Sequence, residues 1–488
     1  MLSRKKVVFL ALVFIVSMGA GLRLYGLDAE SLWNDELESW RQSNFTTIAE
    51  VMKFGSIPDT HPPIFQIVLY FVIRYFGDSE VNLRLPSAIS GILSIPAIFW
   101  LGYTLYSSKE GLIAAFLMAV LWVPVYYSQE ARNYAFLILF SILSSTFWML
   151  AIRDLCNKRT LKLGHASGYV LCALLACYTH YYGLLLVVLQ GLGGIIYLFS
   201  RRTSVKAYIG LYAVCVMGYL PWIPSMSEQI SHTQRISWID PPKLTALPAF
   251  ISFVFNRLEI VAIVVLLFYG FLLINTIVAW SREKPRDLRS LLYSSEFVLG
   301  YWLILPIAIV FMLSVIWTPT LTQRNLLISL PAAYLLLARA IAQLPFHRLL
   351  KTAISLAFGF LPLYHMIFIM GYYRYPYKEQ FREVVKVVVD QEHEFPDAPV
   401  IGYARFPEYF NYYFDKFGSE KRVNLIALET SSFPEIQGFI EEDHSPYFWY
   451  IAGHTYSTPD LVIRLEERYR VIQKQTFQGA SVWLFEES

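Results

Sequence analysis

Four short stretches of the sequence combine carboxylates, imidazoles and guanidinium groups with aromatic residues, and these are the side chains that transfer protons and bind phosphate. They are Trp33-Asn34-Asp35-Glu36, Asp59-Thr60-His61-Pro62-Pro63, Tyr126-Tyr127-Ser128-Gln129-Glu130-Ala131-Arg132-Asn133-Tyr134 and Tyr178-Thr179-His180-Tyr181-Tyr182. A loop as short as 128–131 ordinarily turns with Gly, Ser or Asn, and not with an acid and a base among tyrosines. The pattern predicts one site built from several of these stretches.

The acidic and imidazole groups each have a structural alternative. Glu130 and Arg132 could share a divalent cation with another carboxylate, Glu130 could orient a basic group, or the two could form only an ion pair at a helix end. His61 could bind that cation or donate to phosphate, while the two prolines after it fix the start of a helix. His180 has the same alternatives. The candidate metal ligands are therefore Glu130 and His61.

Two arginines and one tyrosine are further candidates for substrate binding. Arg84 and Arg324 fall at predicted helix ends, where a guanidinium suits a lipid phosphate but can also extend to lipid headgroups. Tyr181 could stack on a sugar, although most of the 33 tyrosines and 12 tryptophans fit the aromatic belt of a membrane protein. Both alternatives stay open at this point.

The elements that position these residues are membrane helices. Of the 488 residues, 56% are hydrophobic and only 16% are charged, whereas an ordinary soluble domain has about 25% charged residues. A helix needs about 20 apolar residues to cross a bilayer core. Eleven such stretches can be placed, at 7–25, 84–106, 110–127, 131–152, 165–182, 183–200, 206–223, 258–280, 297–317, 325–345 and 351–371. The sequence therefore predicts a polytopic α-helical membrane protein with about 11 transmembrane helices.

The overall charge and the cysteines exclude two other classes. The 40 basic and 37 acidic residues give a net charge of +3, which is too balanced for a nucleic-acid surface. The four cysteines lie in or beside apolar stretches and predict neither a disulfide framework nor a CxxC metal site.

The basic residues predict the orientation in the membrane. We place the protein in an inner or plasma membrane with its N-terminus in the cytoplasm. Seventeen basic residues then fall in the cytoplasmic connections, and basic and non-basic connections alternate at every span. The four stretches with candidate catalytic and binding residues then lie at the outer side of the membrane. An odd number of spans places the C-terminus outside as well.

One long outer loop, 26–83, differs in charge from the inner connections, since it carries nine acids and three bases. Within it, 62–77 is apolar and could be a short span or a helix along the membrane surface. Because a further span would break the charge alternation, we predict that 62–77 lies on the outer face, in a loop with two or three surface helices.

The composition changes after Tyr373, where alternating helix-like and strand-like segments begin. They predict a helix over 378–392, strands near 399–403, 423–428, 447–451, 470–476 and 481–485, and helices over 406–416, 433–441 and 459–467. The predicted organisation is a membrane domain over 1–373 and a small outer α/β domain over 374–488 with a partly parallel sheet. No GxGxxG or GxxxxGK[ST] loop is present in it.

The order of the motifs resembles a known family. WNDE, HPP, RLPSAISG, YYSQEARNYA, THYYG and Gln323-Arg324-Asn325-Leu326-Leu327 with Pro331 are similar to the multispan glycosyltransferases of the GT-C fold. Within these, the sequence is similar to the bacterial protein O-mannosyltransferase and aminoarabinose transferase group, glycosyltransferase families 39 and 83. The resemblance covers roughly residues 20–340.

The resemblance implies an inverting transferase that moves a hexosyl or pentosyl group from a polyprenyl-phosphate donor to a hydroxyl of a lipid, glycan or protein. It also implies that Asp35, the first acid of the Asp-Glu motif, takes the proton of the acceptor hydroxyl, with Glu36 as second candidate for positioning the acceptor. Arg324 would bind the lipid phosphate. Asp35 or Asn34 could instead cap a helix, and Glu36 could be a solvated acid. The family differs internally in its dependence on metal ions.

Two other classes compete with this interpretation. A transporter or flippase of lipid-linked saccharides would show repeated halves and charges at the bilayer midplane, which are scarce here. A ligase that uses a diphosphate-linked donor is compatible with the acidic outer loop. A donor assay with monophosphate against diphosphate lipids separates the ligase from the transferase.

Overall fold

The structure is a computed structural model that describes residues 3–158, 160–201, 203, 205–233, 239–282, 288–427, 432–455 and 460–487. The chain forms two compact units. The first consists of Met1–Tyr25, Phe45–Phe71 and Arg84–Met370, and the second consists of Gly26–Asn44, Val72–Leu83 and Gly371–Ser488.

The chain up to residue 370 is helical. In chain order the helices are α1 Arg4–Leu24, α2 Asn34–Ser43, α3 Ile48–Glu50, α4 Ile64–Phe76, α5 Glu80–Leu105, α6 Ser108–Val120, α7 Trp122–Tyr126, α8 Tyr134–Lys158, α9 Leu163–Thr179, α10 Tyr181–Ser200, α11 Lys206–Tyr219, α12 Ile223–Thr233, α13 Ala246–Val254, α14 Glu259–Arg282, α15 Leu288–Leu292, α16 Ser295–Ile316, α17 Leu330–Gln343 and α18 Arg348–Tyr364. Wider or tighter helical turns adjoin four of them, at Val51–Ser56, Leu220–Trp222, Asn325–Ser329 and His365–Ile369.

Nine helices among the described residues are long and apolar enough to cross a membrane, by length and composition. Each of the eleven predicted stretches holds at least one helix. Three of the nine reach that length only together with adjoining helical segments, as Lys206–Ser231, Asn325–Gln343 and Arg348–Ile369. The two predicted stretches that fall short of it hold α9, with 17 residues, and α6, with 13, which α7 follows after a break at Leu121. The prediction of a multi-pass α-helical membrane protein is confirmed.

The ambiguous segment 62–77 forms the 13-residue helix α4. At 1.5 Å per residue this helix rises about 20 Å, which is short of the roughly 30 Å bilayer core. Its Phe71, Tyr75 and Phe76 side chains are exposed. Its location along the membrane surface remains a prediction that this geometry favours.

The short connection between α7 and α8 is fastened to α1 and α5. The buried Arg23 guanidinium donates from Nε to Ser128 Oγ at 3.1 Å, and Ser87 Oγ donates to the Arg132 carbonyl at 2.9 Å. A Cβ at position 91 would lie 1.9 Å from Ser128 Oγ, so Gly91 permits this close approach. The connection that carries Glu130 and Arg132 is therefore held in one conformation.

The second unit contains a five-stranded mixed sheet with helices. Its remaining elements are α19 Phe381–Asp390, β1 Val400–Tyr403, α20 Glu408–Lys416, β2 Val423–Ile426, α21 Phe433–Asp443, β3 Tyr447–Gly453, α22 Asp460–Arg468, β4 Arg470–Phe477 and β5 Ala480–Glu486. The strand order is β2-β1-β3-β5-β4, with β1 parallel to β2 and β3, and β5 antiparallel to β3 and β4. The predicted α/β elements and the partly parallel sheet are confirmed.

The centre of this sheet is apolar on both faces. From Phe448 to Gly453 every residue of β3 is buried, and Val400 pairs with Trp449, which pairs in turn with Leu484. A strand covered on both faces reads as a continuous apolar run, and this is why β3 is recognisable in the sequence.

The division of the chain differs from the predicted domains in the loop 26–83. The predicted boundary at 373 lies close to the observed division after Met370, but residues 26–44 and 72–83 belong to the second unit and not to the membrane unit. The physical reason is packing, because α2 contacts α20 and the Trp40 and Tyr412 rings lie 4.9 Å apart.

Candidate active site

Asp35 lies in the first turn of α2 and is not its cap. Trp33 precedes the helix, and an indole offers no acceptor for a cap. The N–H of Asn34 donates instead to Glu379 Oε2 at 3.0 Å. The Asp35 carboxylate is half-buried and accepts from Asn34 Nδ2 at 3.4 Å. The alternative that Asp35 serves only as a helix cap is therefore wrong.

Glu36 points into the interior of the second unit. Its side chain is fully buried, and Oε1 accepts from Lys378 Nζ at 3.0 Å, while Oε2 accepts from the Trp33 N–H at 3.4 Å. Neither a solvated acid nor a group that positions an acceptor fits these surroundings. Glu36 holds α2 in place, which corrects the role predicted from its neighbourhood to Asp35.

Glu38 occupies a third environment on the same helix. It accepts from Arg41 Nε and Nη2 at 3.0 and 2.9 Å and from Tyr409 at 2.6 Å. Burial alone raises the pKa of Glu38, but the hydrogen bonds from Arg41 and Tyr409 outweigh it and lower the pKa overall. The three acids of the NDELE segment thus separate into one candidate base and two structural groups.

Asp59 and His61 form a pair in the first unit, in the turn before α4. His61 Nδ1 donates to Asp59 Oδ2 at 3.2 Å, and Gln66 Nε2 donates to the same oxygen at 3.1 Å. Burial raises the pKa of Asp59, but the charge and hydrogen bond of His61 and the charge of Arg132 outweigh burial and hold it well below its usual range. Asp59 is therefore ionised at neutral pH.

His180 is the buried link between α9 and α10. Its ring lies 5.0 Å from the His61 ring. Nδ1 accepts from the Tyr182 N–H at 3.1 Å, so the ring proton lies on Nε2. Among the described residues, the buried Nε2 makes no hydrogen bond of regular geometry, although the Asn325 side chain lies near enough to act on the ring as a weak acceptor. A buried donor without a well-placed acceptor costs free energy, which suggests that a ligand supplies the acceptor.

Two arginines complete this group. The charges of Arg132 and Arg324 both act on His180, and the Arg324 guanidinium lies 5.8 Å from the centre of the Tyr134 ring. Arg132 is buried. We call Asp59, His61, Arg132, His180 and Arg324 the histidine cluster. It unites residues from three of the four predicted stretches and from the QRN motif.

Glu130 and Arg84 are also buried in the first unit. Glu130, Arg324 and Arg257 all exert their charges on Tyr127, which places Glu130 beside the histidine cluster. The structure assigns Arg84 to a buried position on α5, so extension of Arg84 to lipid headgroups is excluded.

Tyr181 is brought to the same region but its hydroxyl is engaged within the protein. It donates to Gln229 Oε1, and Trp222 Nε1 donates to it at 3.3 Å. Gln229 Nε2 in turn donates to the Ser56 and His61 carbonyls at 2.6 and 3.1 Å. These contacts favour a role for Tyr181 in holding the turn with His61, and not in stacking on a sugar.

Several residues near these groups carry no local signal in the sequence. Arg257 lies 5.3 Å from the centre of the Trp122 ring, and both it and Asn256 have positive φ, 56° and 65°. Glu379 and His454 belong to the second unit and are described below. None of these four residues falls in a sequence motif. Only the fold of each unit brings them close to candidate site residues.

The predicted metal site of Glu130 and His61 belongs to the same region. Among the described residues, no group of three or more His, Cys, Asp and Glu side chains could hold one. His61 Nδ1 pairs with Asp59, and the predicted Glu130 and His61 metal site stays a prediction.

The chain is similar to known proteins in sequence over part of its length and in structure over nearly all of it. Residues 60–225 match the family described as dolichyl-phosphate-mannose-protein mannosyltransferase, and a search of the curated proteins gives no match. ArnT from Cupriavidus metallidurans has a TM-score of 0.61 at 12% identity, over 97% of both chains. The same protein bound to undecaprenyl phosphate also gives 0.61, at 13% identity and 97% coverage of both chains.

A second solved protein is similar over part of its length. The Archaeoglobus fulgidus oligosaccharyltransferase, in complex with Zn and sulfate, has a TM-score of 0.54 at 12% identity, over 97% of this chain and 72% of its own. The chain therefore has the GT-C glycosyltransferase fold. The region matched by the family contains His61, Glu130, Arg132 and His180, whereas Asp35 precedes it and Arg324 follows it.

Proposed function

We propose that this protein is an inverting glycosyltransferase that moves a sugar from a polyprenyl-phosphate donor to an acceptor hydroxyl at the outer face of a membrane. In this proposal the N-terminus is cytoplasmic, in an inner or plasma membrane, and the C-terminus is outside. The fold supports the class of enzyme, and ArnT of the same fold has been solved with undecaprenyl phosphate.

The histidine cluster is the observation that carries this proposal. Its His180 Nε2 is a buried donor that makes no hydrogen bond of regular geometry among the described residues, and it lies in the field of two guanidinium groups, Arg132 and Arg324. A phosphate oxygen would satisfy the donor, and a guanidinium is suited to phosphate. Asp59 is paired with His61 and orients the imidazole.

The reaction then needs one base and stabilisation of the leaving group. Asp35 takes the proton of the acceptor hydroxyl as the acceptor oxygen bonds to the anomeric carbon on the side opposite phosphate. The bond from the anomeric carbon to the phosphate oxygen breaks, and its electron pair leaves with the polyprenyl phosphate. Arg132, Arg324 and His180 stabilise the charge that this phosphate gains.

The proposal defines both substrates by their chemical class. The donor carries a hexosyl or pentosyl group on polyprenyl phosphate, and the acceptor is a lipid, glycan or protein with a free hydroxyl. Among proteins of this fold, AglB from Archaeoglobus fulgidus has been solved with an inhibitory peptide and a dolichol-phosphate.

The test is release or transfer of sugar by purified protein from a panel of polyprenyl monophosphate and diphosphate sugars, with and without chelator. We expect turnover of a monophosphate donor, and a loss of activity in Asp35→Asn and His180→Gln. His165→Gln is the matched control, since His165 donates to Asp154 at 2.7 Å in the connection from α8 to α9. Equal activity of all three variants contradicts the assigned site.

A ligase that uses diphosphate-linked saccharides is the second candidate, since the Archaeoglobus fulgidus oligosaccharyltransferase shares the fold. Turnover of the diphosphate lipids alone in the same panel selects this alternative. Reporters fused at residues 108 and 488 test the orientation, because the proposal places them on opposite sides of the membrane.

A further inference from the structure

The helix that carries Asp35 is capped from outside its own segment. The first N–H groups of a helix have no partner within it, and an acceptor side chain at the N-cap normally supplies one. Trp33 cannot. The acceptor is Glu379 Oε2, 3.0 Å from the Asn34 nitrogen and 345 residues away in the chain. A carboxylate at this end is also favoured by the helix dipole.

Glu379 is itself held in place on both sides. Its side chain is 1% exposed, and Oε1 accepts from His454 Nδ1 at 2.6 Å. Its carbonyl accepts from Ser31 Oγ at 2.6 Å, two residues before Trp33. Glu379 therefore connects the segment that leads into α2 with the end of β3, and all of these residues belong to the second unit.

His454 is the accessible end of this arrangement. Its side chain is 55% exposed, and it follows β3 with a φ of 57°. A histidine in the left-handed region is strained, and such residues persist where the surroundings hold them and cluster at functional sites. The backbone thus aims the imidazole at Glu379 at some cost in conformational energy.

Both residues act on the surroundings of Asp35. Asn34 donates its backbone N–H to Glu379 and its side-chain Nδ2 to Asp35 Oδ1, so one residue joins the cap to the candidate base. The charge of Asp35 in turn acts on His454. An imidazolium at this position favours the ionised form of the Asp35 carboxylate.

We propose that Glu379 and His454 are positioning residues for the catalytic base Asp35. Glu379 fixes the first turn of α2 through the Asn34 N–H, and His454 holds the Glu379 carboxylate in place through its hydrogen bond. This inference rests on the proposed function of Asp35. The proton of the acceptor hydroxyl still goes to Asp35, and neither positioning residue bonds to the sugar.

The pH dependence of this arrangement has a defined sign. The hydrogen bond with Glu379 raises the pKa of His454, burial lowers it, and the charges of Glu379 and Asp35 raise it further, so the net pKa is raised. The cation is present below this pKa and is lost as the pH rises through it, and the charge-assisted hydrogen bond that holds Glu379 in place weakens with it. We therefore expect an alkaline decline of kcat in the wild type that is absent in His454→Gln.

The experiment compares Glu379→Ala, Glu379→Gln and His454→Gln in the full-length protein, with Glu435→Ala as control at an exposed position of α21. We expect kcat to fall about 100-fold in Glu379→Ala with an unchanged KM for the donor, as for a base displaced by about 1 Å. Glu379→Gln retains the acceptor for Asn34 and recovers a large part of kcat. In an Asp35→Asn background, Glu379→Ala causes no further loss.

A second measurement does not depend on activity. Hydrogen exchange of the first turn of α2 is expected to accelerate in Glu379→Ala and to stay unchanged in Glu435→Ala. Full additivity of Glu379→Ala with Asp35→Asn overturns the positioning role, and unchanged exchange overturns the cap. If no donor is turned over by the wild type while exchange responds as expected, the proposed function fails and the cap stands.

Discussion

The histidine cluster and helix α2 solve the same problem, the placement of charged side chains, in different ways. In the cluster, the hydrogen bonds join residues that are close in the sequence. Asp59 pairs with His61 two residues on, and Nδ1 of His180 accepts from the N–H of Tyr182. On α2, the partners that fix the start of the helix lie far along the chain, since Glu36 binds Lys378 and Asn34 binds Glu379. The first is a set of local motifs, and the second depends on the whole fold of its unit.

This difference determines what a substitution does. Removing a charged group from the cluster leaves helices that are held by their own packing, so the change acts mainly on substrate. Removing a partner of α2 displaces the helix and acts on Asp35 from a distance.

The largest effect is expected for Asp35→Asn. The amide keeps the size of the side chain and its contact with Asn34 but cannot take a proton, so kcat is expected to fall by about 10³-fold. Transfer kinetics with the donor from the panel above measure this, and an unchanged melting temperature shows that the fold is intact. An active Asp35→Asn protein would transfer the role of base to another carboxylate.

A change at the buried pair of α2 is expected to act on stability. Lys378→Met leaves Glu36 buried without its cation, and breaking such a pair typically costs about 3–5 kcal/mol. The double variant Glu36→Gln with Lys378→Met removes the unpaired charge and is expected to recover most of this loss. Thermal unfolding in detergent measures both. If the single variant is as stable as the wild type, the pair does not hold α2.

A substitution in the histidine cluster is expected to change the kinetics and not the stability. His180→Gln retains polarity but cannot reproduce the Nε2 donor at the same position, so we expect a decrease in kcat/KM of about 100-fold, as for one lost donor to a developing charge. The melting temperature is expected to change little. A large loss of stability with unchanged kinetics would make His180 a structural histidine.

The contrast also explains how far the sequence alone leads. The spans of α5, α10, α14 and α16 follow from long apolar runs, and β3 follows from a buried strand of continuous hydrophobicity. His61, Arg132 and His180 could be predicted as one site because the positive-inside rule places the connections that carry them on the same side of the membrane. These are local patterns that need no knowledge of the tertiary structure.

The errors arise where the tertiary structure decides. The sequence places Glu36 beside Asp35 and offers no sign of Lys378, which buries the Glu36 carboxylate. Likewise, the helix cap stays an alternative for Asp35 in the sequence because the group that caps α2, Glu379, is 345 residues from Asn34. Residues 26–44 look like part of a membrane loop until their packing on the α/β unit is known. Long-range charge pairs carry no local periodicity from which to predict them.

Within the cluster, Asp59→Asn is expected to have a smaller effect that depends on pH. The pKa of Asp59 is lowered in the folded state, so the ionised form stabilises the fold above the unfolded pKa of about 3.9. This contribution is lost as the pH falls through the folded pKa. The melting temperatures of wild type and Asp59→Asn should therefore differ at pH 7 and converge in acid. Curves that stay parallel would show that the charge of Asp59 contributes nothing.

The smallest effect is expected for Glu38→Gln, the counterpart of Asp59→Asn on α2. Burial raises the pKa of Glu38, but its hydrogen bonds with Arg41 and Tyr409 lower it on balance. The stabilisation is thus present above the unfolded pKa of about 4.3 and lost below the folded one. Because Arg41 is a quarter exposed, solvent screens the pair and limits the loss at pH 7 to about 1 kcal/mol. Addition of salt should reduce this difference further. The buried pair that Glu36 of the same helix forms with Lys378 should be insensitive to salt. A common response of the two pairs would contradict the assignment of one pair to a partly exposed environment and of the other to a buried one.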